Sequence, residues 1–357
     1  MVGAGVTSDL ALSVLDLIPV RSNQSSAEAV AASVALAKRA DDLGYRRYWV
    51  AEHHNMASVA STNPPVLIGI LAASTKNIRV GSGGVMLPNH SPLVVAEQFA
   101  ILEAAFPGRI DLGLGRAPGS DPVITSFLRS SGTVSDVDAF PNNVQDIATL
   151  LDPEGAALRL PSGQEYGLRA TPRARSAAAV WLLGSSDYSA RLAARLGLPY
   201  VFAHHFAGEN TKRIMDLYRS SFTPAQPGDV PRTFLTLNVS VAETAEEALA
   251  LALPQLQSMA RLRSGAPMLP LETVEEAQAS RLTPQQEQLV QGMREKWVIG
   301  TPTDAAARVR ELAAEFGVDE VMVVPGASAH ATDAPFTAPA REHALELLAG
   351  ELLGQKA

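Results

Sequence analysis

No cysteine occurs among the 357 residues. That excludes disulfides, thiolate zinc sites, iron–sulfur clusters and a catalytic thiol, and it agrees with a cytoplasmic location. Basic residues are in deficit: 29 Lys and Arg stand against 37 Asp and Glu, a net charge of −8 at pH 7. A broad cationic face for nucleic acid or an anionic membrane is therefore not expected, although a local basic pocket remains open. No Lys or Arg precedes Arg21, so the charged region of a signal peptide is missing. The longest apolar run, Val66 to Ala73, falls far short of the roughly 20 residues a membrane span needs. What the chain does have is core material, with 46% hydrophobic and 18% charged residues, which argues for a folded protein. Its length suits two ordinary domains or one barrel of roughly 250 residues with insertions.

Short β-rich runs alternate with longer helical patterns. Strands are expected at Leu10–Ile18, Arg46–Ala51, Ile78–Val85, Arg109–Leu114, Val180–Gly184, Tyr200–Ala203, Phe234–Val241 and Glu320–Val324. Helices fall between them, with stops such as Gly44, Pro107-Gly108 and Gly197. Eight strands separated by helices is the count of a (β/α)8 TIM barrel in one domain, 1–357; an open doubly wound sheet is the rival. Residues 152–163 read as loop. Residues 263–296, rich in Gln, Glu and Pro, lack a clear period and read as an insertion after strand seven, either a mobile lid or plain surface.

Six of the seven histidines follow a predicted strand: His53 and His54 after strand two, His90 after three, His204 and His205 after six, and His330 after eight. In a (β/α)8 barrel these points share the catalytic face. Glu52-His53-His54 lacks the i, i+4 spacing of a zinc helix, and neighbouring strand residues point to opposite sides, so proton transfer beside a cofactor is the better reading and no metal is expected. The glycines of Arg109–Gly119 fail as a dinucleotide fingerprint, because position 118 is Pro where a third Gly is required. Small residues there, and in Gly81-Ser82-Gly83-Gly84, let a flat ring or a backbone approach closely. Arg116 then reaches the active face, to meet an anion or a surface carboxylate. Gly184-Ser185-Ser186-Asp187 joins a strand to a helix, where hydroxyls either cap the helix or join its amides around a phosphate.

These segments carry a resemblance. Tyr45–Met56 (YRRYWVAEHHNM), Val80–Phe99, Phe106–Asp121 and Trp181–Phe206 resemble the bacterial luciferase-like flavin monooxygenases, and the likeness extends from about Leu12 to Val324. The resemblance implies a (β/α)8 barrel that takes reduced FMN from a separate reductase. It further implies that the flavin reacts with O2 to give a C4a-peroxide, which oxidises a small organic substrate. It implies an acid–base role for His53, a flavin-supporting bulge at Gly83-Gly84 that is often a cis peptide, and phosphate binding by Arg116 and Ser186 with Ser185 alongside. His54 and His204 complete the catalytic candidates. Members of the family are commonly dimers, so a homodimer is expected.

The chain also departs from luciferase. Gly115 replaces a cysteine before the arginine, Ser185 replaces a glutamate, and His204 aligns with a tryptophan near the flavin. These changes put the aldehyde substrate and light emission in doubt and leave flavin binding intact. Two further readings stay open on the same barrel: an oxidoreductase using the deazaflavin F420, and a flavin-binding protein without catalysis.

Overall fold

A computed structural model describes residues 10–130 and 137–354. Its centre is a closed barrel of eight parallel strands: β1 (Ala11–Asp16), β2 (Arg47–Val50), β3 (Arg79–Met86), β4 (Ile110–Gly115), β7 (Ala179–Gly184), β8 (Tyr200–Phe202), β9 (Leu235–Val241) and β11 (Glu320–Pro325). Each pairs with the next, β11 pairs with β1, and β8 meets β9 at Phe202 and Leu235. The eight expected strands are therefore the eight barrel strands. Three further strands went unanticipated. β5 (Ala156–Arg159) and β6 (Glu165–Leu168) form a hairpin at the edge of the expected loop. β10 (Val298–Gly300) adds to the upper half of β9.

Helices α1 (Ser26–Asp42), α2 (Pro64–Ser74), α3 (Pro92–Ala105), α4 (Pro122–Ser130), α5 (Phe140–Leu151), α6 (Asp187–Leu196), α7 (His204–Ala207), α8 (Thr211–Ser220), α9 (Ala245–Arg263), α10 (Val274–Ala279), α11 (Pro284–Arg294), α12 (Pro302–Phe316) and α13 (Pro339–Leu352) surround the sheet. Local chemistry sets their ends. Ser25 and Glu28 form a capping box on α1, and α6 and α12 stop at Gly197 and Gly317 in the left-handed conformation. Residues 263–296, expected without clear structure, hold α10 and α11. Leu289, Val290 and Met293 of α11 pack with Leu256 and Ala260 of α9. No helix among the described residues is long and apolar enough to cross a membrane.

The period-two alternation fills the barrel in layers. At the N-terminal end, Arg47 is buried with two carboxylates, 2.6 Å from Glu320 and 2.8 Å from Asp111, and Arg79 also reaches Asp111 at 2.6 Å. Above them Trp49, Trp181 and Phe234 pack with ring centroids 5.2–5.7 Å apart. The Arg47 guanidinium carbon lies 4.9 Å from the Trp181 ring centre, so the aromatic layer also carries a cation–π contact. Gly81 makes room for this layer: a Cβ there would lie 2.7 Å from Trp49 Nε1. The bottom of the barrel is thus sealed, and the opposite rim is left to carry chemistry.

Candidate active site

Continuing the alternation of Arg47, Trp49 and Ala51 brings His53 to the inner wall at the C-terminal rim. Its amide donates to Ser61 O, while its ring Nδ1 is buried without a hydrogen-bond partner. Burial lowers its pKa, against the opposing charge of Glu52, so the ring is neutral at neutral pH. His54 turns the other way. Its Nε2 lies 2.9 Å from Glu52 Oε1, and His90 Nε2 meets the same oxygen at 2.8 Å. The other oxygen, Oε2, accepts the Met86 amide at 3.0 Å. Burial opposes ionisation of Glu52, but these three donors prevail and hold its carboxyl at about 2. The buried carboxylate therefore ties the end of β2 to the end of β3.

The sixth barrel strand supplies a surprise. His204 leaves the barrel: its Nδ1 lies 2.6 Å from Thr211 Oγ1 and its ring stands edge-on to Phe316 of the helix layer. His205 is the one that continues the inward series of Val201 and Ala203. Its Nδ1 lies 2.8 Å from Thr236 Oγ1, and its backbone carbonyl accepts from Asn238. Burial first, then the charges of His204 and His53, lowers His205 to about 4. His53 and His205 are thus close enough to feel each other, and both are neutral near pH 7. His205, which the sequence places on the catalytic face but behind His204 as a candidate, and Glu52 and Thr236, which it gives no role, join the candidate site residues. Parity counted from Val201 is the signal that separates His205 from His204. His330 lies apart from these groups, paired with Glu275 on the surface.

Between β3 and β4 the pairing register shifts at Gly83 and Val85, and the Gly83–Gly84 peptide is cis. A Cβ on Gly83 would lie 2.7 Å from Leu15, and one on Gly84 would lie 2.7 Å from the Gly113 carbonyl. At Gly84 the clash is with backbone, so only glycine fits there.

Arg116 leaves the end of β4 half-buried, and its guanidinium carbon lies 4.1 Å from the centre of the Tyr188 ring. Tyr188 is in the first turn of α6, so Arg116 stands beside that helix N-terminus. Ser186 is the N-cap residue, but its hydroxyl makes no capping bond, and Ser185 and Ser186 are both exposed. The one acid of the turn, Asp187, is neutralised by two bonds from Arg213 at 2.7 and 2.9 Å. A guanidinium without an ion pair among the described residues, two free serines and an uncapped helix end form a donor set suited to a phosphate. No three His, Asp or Glu among the described residues converge on a metal position.

The rim of this (β/α)8 barrel thus carries a histidine pair and an uncapped helix end, and the comparisons place the chain among barrel monooxygenases. The profile described as luciferase-like monooxygenase matches residues 11–320, and the chain belongs to that family. A luciferase-like monooxygenase of Escherichia coli K12 is 45% identical over 256 residues, covering 72% of this chain and 74% of the relative. The crystal structure of apo-MsnO8 superposes with a TM-score of 0.83 at 34% identity, covering 96% of this chain and 98% of that one. More distant structures share the fold alone: the oxygenating component of a diketocamphane monooxygenase in complex with FMN, at TM-score 0.69 and 20% identity, and an F420-dependent secondary alcohol dehydrogenase, at 0.63 and 15%.

Proposed function

We propose that this protein is a cytoplasmic FMN-dependent monooxygenase, which takes reduced FMN from a separate reductase and uses O2 to oxidise a small organic substrate. The observation that carries the reading is the uncapped N-terminus of α6, with Ser185, Ser186 and an Arg116 that has no ion pair among the described residues, on the same rim as the part-buried His53 with its buried Nδ1. When bound, reduced FMN supplies the electrons that activate O2. Arg116 and the two serines would hold its phosphate. His53, neutral and unpartnered at Nδ1, is free to move a proton there. Glu52 fixes the neighbouring chain by gripping His54 and His90, so His54 acts as support for the loop that presents His53. Trp49, Trp181, Phe234 and Leu183 give the site a dry floor, which excludes water from the reacting atoms. Residues 263–271 contribute a cover. Arg263 donates to Phe206 O beside β8, while Leu271 bonds Val20 and Ser22 beside β1, so the intervening chain crosses the rim.

His53→Ala tests the assignment. Substrate oxidation should slow by roughly 10²–10⁴-fold with FMN affinity nearly unchanged; an undiminished rate removes His53 from the chemistry. Flavin titration separates the F420 reading, since the chain should bind FMN reversibly and in preference to F420. A fully inactive protein that still binds FMN would favour the non-catalytic reading.

The protein is further expected to be a homodimer. Val66 and Ile70 of α2 and Val94 and Ile101 of α3 are large apolar side chains exposed on neighbouring helices, at 60, 41, 50 and 56%. Burying them against a second copy would stabilise the pair. Sedimentation equilibrium should give twice the chain mass, and Ile70→Glu should return the monomer.

A further inference from the structure

A cavity of about 40 Å³ lies away from the histidine pair. It is walled by the β1–α1 connection, the β11–α13 connection, Leu271 and the start of α13. The flavin-phosphate donors follow β4 and β7, on the opposite side of the barrel from β11 and β1, so the two places are distinct.

Its lining is unusual for a structural void. Arg21, Ser328 and Arg341 all contribute, and they are only 6, 5 and 7% exposed. Arg341 is paired with Asp16 at 2.7 Å, yet its Nε has no partner. The Arg21 guanidinium donates one bond, from Nη2 to Ala334 O at 3.1 Å, while its Nε and Nη1 have none. The Ser328 hydroxyl is likewise unpaired. Burial and the neighbouring Arg341 weaken the hold of Arg21 on its proton, and Asp333 and Glu28 offset this without forming an ion pair with it among the described residues. The wall therefore carries one guanidinium charge balanced by Asp16 and one without a direct counter-ion. It also borders the N-terminus of α13, a helix of 14 residues whose N-cap residue Ala338 supplies no side-chain cap and donates its amide to Glu342 Oε1 at 3.0 Å.

Buried donors call for an acceptor, and a buried cation without an ion pair of its own favours an anion. A cavity of this size holds about three waters or one small oxyanion. Waters would satisfy the donors but leave the charge. An apolar ligand would satisfy neither. We propose that this cavity binds one small oxyanion, a carboxylate or inorganic phosphate, through Arg21, Arg341 and Ser328. Bound there, the anion ties the β1–α1 and β11–α13 connections together. Leu271, which bonds Val20 at 2.7 Å and accepts from Ser22 at 2.8 Å, joins the same knot. The anion thereby anchors the chain that crosses the rim.

Thermal melting against inorganic phosphate and against acetate, at ionic strength held constant with chloride, tests this. Arg116→Ala is the background, so that phosphate at the flavin donors cannot contribute. A saturable rise in Tm is expected with at least one of the two anions. Phosphate alone assigns a tetrahedral oxyanion, acetate alone a carboxylate, and both together a site for either. Adding Arg21→Gln should raise the half-saturating concentration by about tenfold or more, as expected for losing a charge-assisted contact. Phosphate also stabilises proteins by exclusion from their surface, but that rise does not saturate and is the same in both variants. An unsaturable response, or one that Arg21→Gln leaves unchanged, overturns the proposal in favour of water. Should Arg21→Gln fail to fold, Ser328→Ala decides in its place: a weakened anion response supports the site, and an unaltered one overturns it.

Discussion

Nε2 of His54 lies 2.9 Å from Oε1 of Glu52, and the same oxygen serves His90 from the other side at 2.8 Å. Because the carboxyl is ionised down to about pH 2, both imidazoles donate through Nε2. With the Met86 amide on Oε2, the carboxylate accepts three bonds and offers none. Glutamine has the same shape and the wrong polarity: with its oxygen toward the histidines, its NH2 faces the Met86 N–H, donor against donor. Glu52→Gln should therefore destabilise the fold by about 1–3 kcal/mol at neutral pH. It should also remove one element of acid sensitivity. Unfolded, Glu52 titrates near 4.5, and folded near 2, so its contribution is complete above 4.5 and drains as pH falls toward 2. Chemical denaturation of both proteins between pH 7 and 3 measures each effect. Equal stability at pH 7 would mean that the carboxylate holds nothing in place.

His205 gives acid sensitivity of a different range. Its ring titrates near 4 in the folded barrel and near 6.5 in the unfolded chain, because burial disfavours the cation. Between those values the unfolded chain binds the extra proton. Stability is therefore full above pH 6.5, falls as pH drops toward 4, and levels off below, for a loss on the order of 3 kcal/mol. His204 is also lowered to about 4, by its burial and by Arg308 and Lys296, so it adds a loss of the same sign. His205→Gln keeps a polar group beside Thr236 and should flatten part of the slope, leaving the share of His204. A variant with the full wild-type slope between pH 6.5 and 4 would show that His205 is not buried neutral.

How legible was this in the sequence? The barrel strands were, because runs such as Ala11–Asp16 and Glu320–Pro325 are buried almost throughout and read as apolar blocks. The β5–β6 hairpin was not, because its residues are mostly exposed and no alternation marks an inner face. Residues 263–296 concealed two helices for a similar reason: in α11 only Gln286 and Met293 are buried. The helix starts were nonetheless written there as capping boxes, Thr273 with Glu276 and Thr283 with Gln286. The placement of His53 and the glycine-rich strand ends at the C-terminal rim was readable from their positions after strands. The choice between His204 and His205 turned on strand parity, and the hydrogen-bonded part of β8 is only three residues long. Tyr188 had no local signal, since its contact with Arg116 exists only once β4 and β7 pair.

That contact also shapes what Arg116 can do. The guanidinium lies over the Tyr188 ring, which restrains it without using its N–H donors. Ser186 opens the same helix with its hydroxyl uncommitted, and Asp187 is already neutralised by Arg213. A phosphate placed there would gain charge-assisted bonds and meet no free carboxylate. Losing one such bond costs about 1.5–3 kcal/mol, or roughly 10- to 150-fold in affinity. Arg116→Ala should weaken FMN by that factor. Riboflavin, which lacks the phosphate, should bind wild type and variant about equally, whereas a general distortion of the rim would weaken both ligands. Tyr188→Leu should fall between the two proteins for FMN, since it removes the restraint and leaves the charge. Fluorescence titration of both flavins against the three proteins measures these affinities. Parallel losses for FMN and riboflavin in Arg116→Ala would reduce Arg116 to a structural role at the end of β4.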